Sequence, residues 1–270
     1  VQIAATMQTG NHESLSRQPS LFIPFPEQVL RIDVPKRFQD PFTGTPHPLC
    51  LEAASLLKVH LQEQTEWEHN FGLKEGQNGT VIGKMFGVLV VQNEDNILGY
   101  LAGYSGKLAG GYHQSLFVPP VFDGLTEGSF LNEGMEELSR INQKIRLLEE
   151  ENPPNSQEEI QALKTTRRQN SARIQDQIFD SYQFLRQDGI RKNMRDIFMD
   201  WNQTKPPSGA GECAGPRLLQ YAFEHNLKPL ALAEFWWGQS PKSDFWQHEQ
   251  FYPACKEKCA PILGFMLEGI

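Results

Sequence analysis

Apolar residues recur along this chain with two different periods, and the changes between them mark its parts. Leu49, Ala53, Leu56, Leu57 and Leu61 fall on one face of a helix predicted from Leu49 to about Gln64. Strand character follows: Lys84 to Gln92 (KMFGVLVVQ) and Ile97 to Ser105 (ILGYLAGYS) flank the polar turn Asn93-Glu94-Asp95-Asn96, which predicts an antiparallel hairpin. The Val-rich first arm lacks polar alternation, as a strand covered on both faces does. From Asn132 the helical spacing returns, with Met135, Leu138, Ile141, Ile145 and Leu148 at three- and four-residue steps. Asn152-Pro153-Pro154-Asn155 breaks that helix, and Ser156-Gln157-Glu158-Glu159 reads as a capping box that starts another. Its stripe runs through Ile160, Leu163, Ile174, Ile178, Tyr182 and Leu185 until Gly189, after which Ile190, Met194, Ile197, Phe198 and Trp201 carry a further turn or two. The last third holds a helix-like stretch from Cys213 to Asn226, an apolar run from Leu230 to Trp237, and a second apolar helix after Cys259.

Setting aside residues 106–205 leaves the order α-β-β-α-β-α. The expected fold is an α/β core formed by residues 22–131 and 202–270. A long antiparallel helical hairpin of coiled-coil type is inserted at 132–201, and residues 1–21 form a polar, flexible N-terminus.

Composition narrows the function classes. The chain has 270 residues, 39% of them hydrophobic, enough for a sizeable core. No apolar run is long enough to cross a bilayer and no signal-peptide pattern opens the sequence, so no membrane partner is expected. Four clustered cysteines suit a reducing compartment, and the expected location is cytoplasmic. A net charge of -8 argues against a broad nucleic-acid face. The predicted hairpin, however, is polarised. Residues 133–160 carry eight acids and three bases, whereas 161–195 carry eight bases and three acids. Either the arms neutralise each other across the seam, or Lys164, Arg167, Arg168, Arg173, Arg191, Lys192 and Arg195 contact RNA phosphates.

The last sixty residues hold three of the four cysteines. Cys213, Cys255 and Cys259, with His248 as a fourth donor, have the residue types of a zinc site, although three residues rather than two separate Cys255 from Cys259. The alternative is that the cysteines pack as small hydrophobes. Glu212, Cys213, Glu234, Trp236 and Trp237 form the candidate pocket. A carboxylate inside the apolar run at Glu234 must find a partner or face a cleft, and the tryptophans either stack on a base or fill the core. The element order, Cys213-Ala214-Gly215-Pro216 and Pro253-Ala254-Cys255-Lys256-Glu257-Lys258-Cys259 together resemble the zinc-dependent deaminase fold. That resemblance implies a zinc-bound water with a glutamate as proton carrier, but Gly215 stands where that glutamate belongs. On this view the segment is a deaminase-like relic or a binding pocket for a base or small molecule.

A broader resemblance runs from about Phe22 to the end. FTGTPHPLC (42–50), GKMFGVLVV (83–91), GYLAGYSGKLAG (99–110), FVPPVFD (117–123), GAGECAGPRLLQYAFEHNLKPLALAEFWWG (209–238) and FYPACKEKCAPILGFMLEGI (251–270) look like the long N-terminal region of certain bacterial RluA-type pseudouridine synthases. In that family a His-Arg-Leu-Asp motif supplies the catalytic aspartate. The nearest string, Leu30-Arg31-Ile32-Asp33, lies in a Pro-rich loop and is not taken for it. The resemblance therefore implies a noncatalytic accessory domain of a cofactor-free isomerase. Its implied partners are ribosomal or transfer RNA, a C-terminal synthase module and, through the helical hairpin, a second copy of the chain.

Overall fold

The computed structural model describes residues 21–126 and 128–270, so nearly all of the stretch expected to be a flexible N-terminus lies outside the described residues. In chain order the elements are β1 (Ile23–Pro24), α1 (Pro48–Glu63), β2 (Lys84–Gln92), β3 (Leu98–Tyr104), α2 (Phe130–Glu151), α3 (Ser156–Ser181), β4 (Gln183–Leu185), β5 (Arg191–Asn193), α4 (Met194–Asn202), α5 (Ala214–Glu224), β6 (Lys228–Trp237), β7 (Phe251–Tyr252) and α6 (Ala260–Met266). The main sheet has the order β1-β3-β2-β6-β7, and every neighbouring pair is antiparallel. The fold is mixed α/β. Among the described residues no helix is long and apolar enough to cross a membrane.

The central position of β2 follows from its sequence. Leu89 and Val91 enter one apolar core with residues of α5 and α6, while Phe86, Val88 and Val90 enter another with residues of α1. A strand without a polar side can only be satisfied by cover on both faces. Two glycines set how closely α5 approaches. A Cβ at Gly87 would lie 2.9 Å from Ala214 Cβ, and one at Gly103 would lie 3.1 Å from Leu218 Cγ. A larger residue at Gly87 would push Ala214 and the start of α5 outward, and one at Gly103 would require the Leu218 side chain to shift.

The inserted hairpin forms as the periodicity predicts along most of its length. Ile141, Ile145 and Ile160 make its seam, flanked by Leu148 and Leu163. Lys144–Glu159 and Lys164–Glu149, each 2.8 Å, join the two arms. Met135, predicted on the seam, is 52% exposed and outside it, and two further details differ from expectation. The predicted capping box does not form, because Asn155 is the N-cap, in the left-handed region with φ 68°, and Ser156 is already helical with a buried hydroxyl that has no partner. The stripe predicted to continue through Tyr182 and Leu185 leaves the helix at Ser181, and residues 183–193 form the small β4–β5 hairpin around Gly189. That hairpin is held by the core: Phe179, Tyr182, Phe184, Met194, Ile197 and Phe198 pack in the same cluster as α5 and α6.

The irregular segment 106–119 is fastened by Arg217, which is 1% exposed. Its guanidinium donates to the carbonyls of Tyr104, Gly106, Tyr112, Val118 and Pro119 at 2.6–3.3 Å and lies over the Tyr104 ring. Arg217→Met keeps the stem but removes a donor from five carbonyls, of which Tyr112 keeps the Tyr104 hydroxyl at 2.6 Å, and is expected to destabilise the protein by roughly 3 kcal/mol or more. Denaturant unfolding monitored by tryptophan fluorescence reads this directly; a change below about 1 kcal/mol would contradict the assigned role.

Candidate functional site

Antiparallel pairing of β2 with β6 aims Glu234 at the start of α5. Its Oε1 accepts the Gly215 N–H at 3.1 Å, and its side chain is 6% exposed. A Cβ at Gly215 would meet Leu232 Cδ2 at 3.1 Å and lie 3.9 Å from Glu234 Oε1, so the tight neighbour of this glycine is Leu232 and the carboxyl is in ordinary contact. Burial pushes the Glu234 pKa up to about 7; the Gly215 N–H opposes that rise and the charge of Cys255 adds to it. A small cavity of about 20 Å³, enough for one water, lies against Glu234, Tyr252, Ala254 and the 40–46 loop.

The cysteines come to the same place by two routes. Cys213 is the N-cap of α5 and Cys259 the N-cap of α6, while Cys255 opens the turn that leads into α6. The Cys259 thiol reaches both the Cys213 and Cys255 sulfurs. Those contacts, followed by burial, push its pKa well up and hold it as a thiol. Cys255 is the exposed member and titrates in the opposite sense. The Cys259 thiol, with the N–H groups of Lys258, Glu257 and Cys259, pulls its pKa down to about 5 against a smaller opposing effect of burial. Lys258 N lies 3.4 Å from Cys255 Sγ. The site therefore combines an exposed cysteine whose pKa is lowered, a buried cysteine whose pKa is raised and a buried carboxyl whose pKa is raised.

The four expected zinc donors are placed on two helix starts, a turn and the loop before β7. The three sulfurs are strung through Cys259, and among the described residues no three His, Cys, Asp or Glu side chains are grouped to hold a metal ion. His248 is engaged elsewhere: its Nδ1 accepts the Gly238 N–H at 3.0 Å and its ring packs against Trp237 at 4.5 Å. Trp237, 2% exposed, belongs to the core on the α1 side, away from Glu234. Trp236 shares the face of Glu234 and stacks on Trp246 at 5.2 Å, with its indole N–H buried and unpartnered. Glu212 accepts Gly106 N–H through its carbonyl, and its carboxylate lies near Lys84, whose pKa burial lowers and Glu212 raises. Of the expected pocket, then, Glu234 bonds the backbone two residues after Cys213, Glu212 sits by Gly106 and Lys84, Trp236 stacks on Trp246, and Trp237 lies on the opposite face of β6.

The basic residues separate into paired and available groups. Lys164 bridges to Glu149, Arg191 to Glu224, Lys192 to Asp200, and Arg195 to both Asp176 and Asp180. Arg167 donates to Asn142 Oδ1 at 2.9 Å, and Arg168 and Arg173 have no ion-pair partner among the described residues. An open groove of about 900 Å³ runs between the hairpin and the 205–208 loop, lined by Asn142, Gln161, Lys164, Arg167, Arg168 and Lys205 among others. Lys205 was not anticipated from sequence, because only the folded chain brings it opposite α3. Comparisons with protein-family models, curated proteins and solved structures found no match.

The raised Glu234 pKa predicts a signed pH effect. Its contribution is fully present below the ordinary carboxyl pKa of 4.5 and is lost as pH rises through about 7. Glu234→Gln should therefore gain on the parent across that window, on the order of 3 kcal/mol by pH 8. Parallel urea titrations at pH 4.5 and pH 8 measure the difference. A gain that is the same at both pH values would contradict a neutral, buried Glu234.

Proposed function

We propose that this chain is a noncatalytic accessory domain of an RluA-type pseudouridine synthase, acting in the cytoplasm to hold RNA for an isomerase module. The observation that carries the proposal is the polar groove beside α3. Arg167 and Arg168 line it without an ion-pair partner among the described residues, Lys205 closes it, and Asn142, Gln161, Thr165 and Gln175 supply further hydrogen-bonding groups. Such a lining suits phosphate oxygens and ribose hydroxyls rather than an apolar ligand. Lys164, Arg191, Lys192 and Arg195 are ion-paired, which leaves Arg167 and Arg168 in the groove and Arg173 outside it as the unpaired members of the expected set among the described residues.

A deaminase-like ancestry for the core is part of the same proposal. Support comes from the order α1, β2, β3, α5, β6, α6, from β2 lying antiparallel between β3 and β6, and from α5 and α6 sharing one face opposite α1. In this view the helical hairpin is an addition that converted an old small-molecule scaffold into an RNA-holding one.

Binding of ribosomal and transfer RNA transcripts by the whole chain, measured by fluorescence anisotropy across a salt series, tests the proposal. Arg167→Glu with Arg168→Glu should weaken binding at least about ten-fold and reduce the log–log salt slope by about 1.4–1.8, the loss of two phosphate contacts. Unchanged affinity in a variant with an unaltered circular dichroism spectrum would leave the basic arm only as the neutralising half of a seam.

A further inference from the structure

RNA holding makes no use of the three cysteines that meet beside Glu234. Each is placed differently: Cys255 is exposed, Cys213 half-buried and Cys259 1% exposed. Cys259 N–H and Ala260 N–H both donate to the Cys255 carbonyl at 3.1 Å, which makes residues 255–260 one helical turn and puts both side chains on the same side of it. Residues four apart in such a turn have Cα atoms about 6 Å apart and Cβ atoms about 5–6 Å apart, so a disulfide, which needs Cβ atoms about 3.5–4.5 Å apart, closes as this turn unwinds. By contrast, Cys50 is fully buried at the start of α1, its pKa pushed up to about 12 by burial, and it serves as an internal control for an inert thiol.

We propose that Cys255 and Cys259 are a peroxide-reactive dithiol, with Cys255 as the nucleophile and Cys259 as the resolving thiol. Cys255 is open to a small neutral oxidant, and Lys258 N–H, 3.4 Å from its sulfur, supports negative charge there. The Cys255 thiolate attacks one oxygen of hydrogen peroxide. The S–O bond forms as the O–O bond breaks, and the departing hydroxide takes a proton from solvent. Cys259 sulfur then attacks Cys255 sulfur, and the sulfenic hydroxyl leaves as water with the Cys259 proton. Two thiols are thereby oxidised to a disulfide while one peroxide is reduced to two waters. A cellular dithiol returns the pair to the reduced state by exchange.

Closing this bridge removes Cys259 as a hydrogen-bond partner of Cys213 at the start of α5. Gly215, two residues further along, donates to Glu234. The bridge therefore acts on the turn joining β7 to α6 and, through Cys213, on the start of α5. This activity stands independently of RNA binding.

The test uses the whole chain, reduced, desalted and treated with one equivalent of hydrogen peroxide at neutral pH. Peptide mapping under non-reducing conditions should find a Cys255–Cys259 disulfide, with an intact mass lower by two hydrogens and full recovery by dithiothreitol. Cys255 should be consumed at least about ten-fold faster than Cys50. Cys255→Ser should abolish the reaction. Cys259→Ser should stop it at a sulfenic acid on Cys255 that dimedone traps. If Cys259→Ser fails to fold, the wild-type map and Cys255→Ser still decide. A disulfide lacking Cys255, equal rates at Cys255 and Cys50, or stoichiometric zinc that must be stripped before oxidation would each overturn the proposal.

Discussion

A guanidinium has five N–H donors, and in this protein the five of Arg217 meet five backbone carbonyls. Among the described residues no carboxylate pairs with it there; burial lowers its pKa, while Tyr104 and its neighbours Tyr182 and Tyr112 act in the other direction. A buried cation is tolerable only where oriented dipoles replace its water shell, and this segment provides them by turning Tyr104, Gly106, Tyr112, Val118 and Pro119 inward. The same contacts order a stretch that has almost no secondary structure of its own. Because Arg217 sits in the first turn of α5, fixing it also fixes the start of that helix, where Cys213 and Gly215 lie. Gly106 N–H on Glu212 carbonyl, 2.8 Å, fastens the same junction from the other side.

Around that fixed point the rest is close packing with small residues where space is short. Gly87 and Gly103 let α5 settle onto β2 and β3, and Gly215 lets the start of α5 pass Leu232. The Gly215 N–H meets the Glu234 carboxyl, which rises from a covered strand and is therefore more neutral than a carboxyl open to solvent.

Much of the architecture could be read from periodicity. The helix at 48–63, both arms of the β2–β3 hairpin and the two long helices fall within a few residues of expectation, because each repeats its pattern several times. Short elements escaped for the opposite reason. Strands β1 and β7 have two residues each, and β4 and β5 three, too few for an alternation to declare itself. Tyr182 and Leu185 continue a helical stripe by chance of spacing while tertiary packing of Phe184 against α5 selects a strand. At the site, the cysteines and Glu234 stood out as residue types, but their meeting depends on Tyr252 pairing with Glu234 in register. Whether a basic side chain is free or paired is invisible until its neighbours are placed. Arg217 gave one signal, a lone charge among Ala214, Pro216, Leu218 and Leu219, which its buried face explains.

If the Arg217 clamp makes the 106–119 segment part of the core, backbone amides there must open only with the core. Native-state hydrogen exchange resolved by NMR reads this at two bonds, Val118 N–H to Ala102 carbonyl at 2.9 Å and Gly106 N–H to Glu212 carbonyl at 2.8 Å. Both amides are predicted to exchange in the slowest class, with the same denaturant dependence as the amides of β2 and α5. Fast exchange at Val118 and Gly106 while β2 and α5 stay protected would show the segment to be an independent surface loop and would contradict the account.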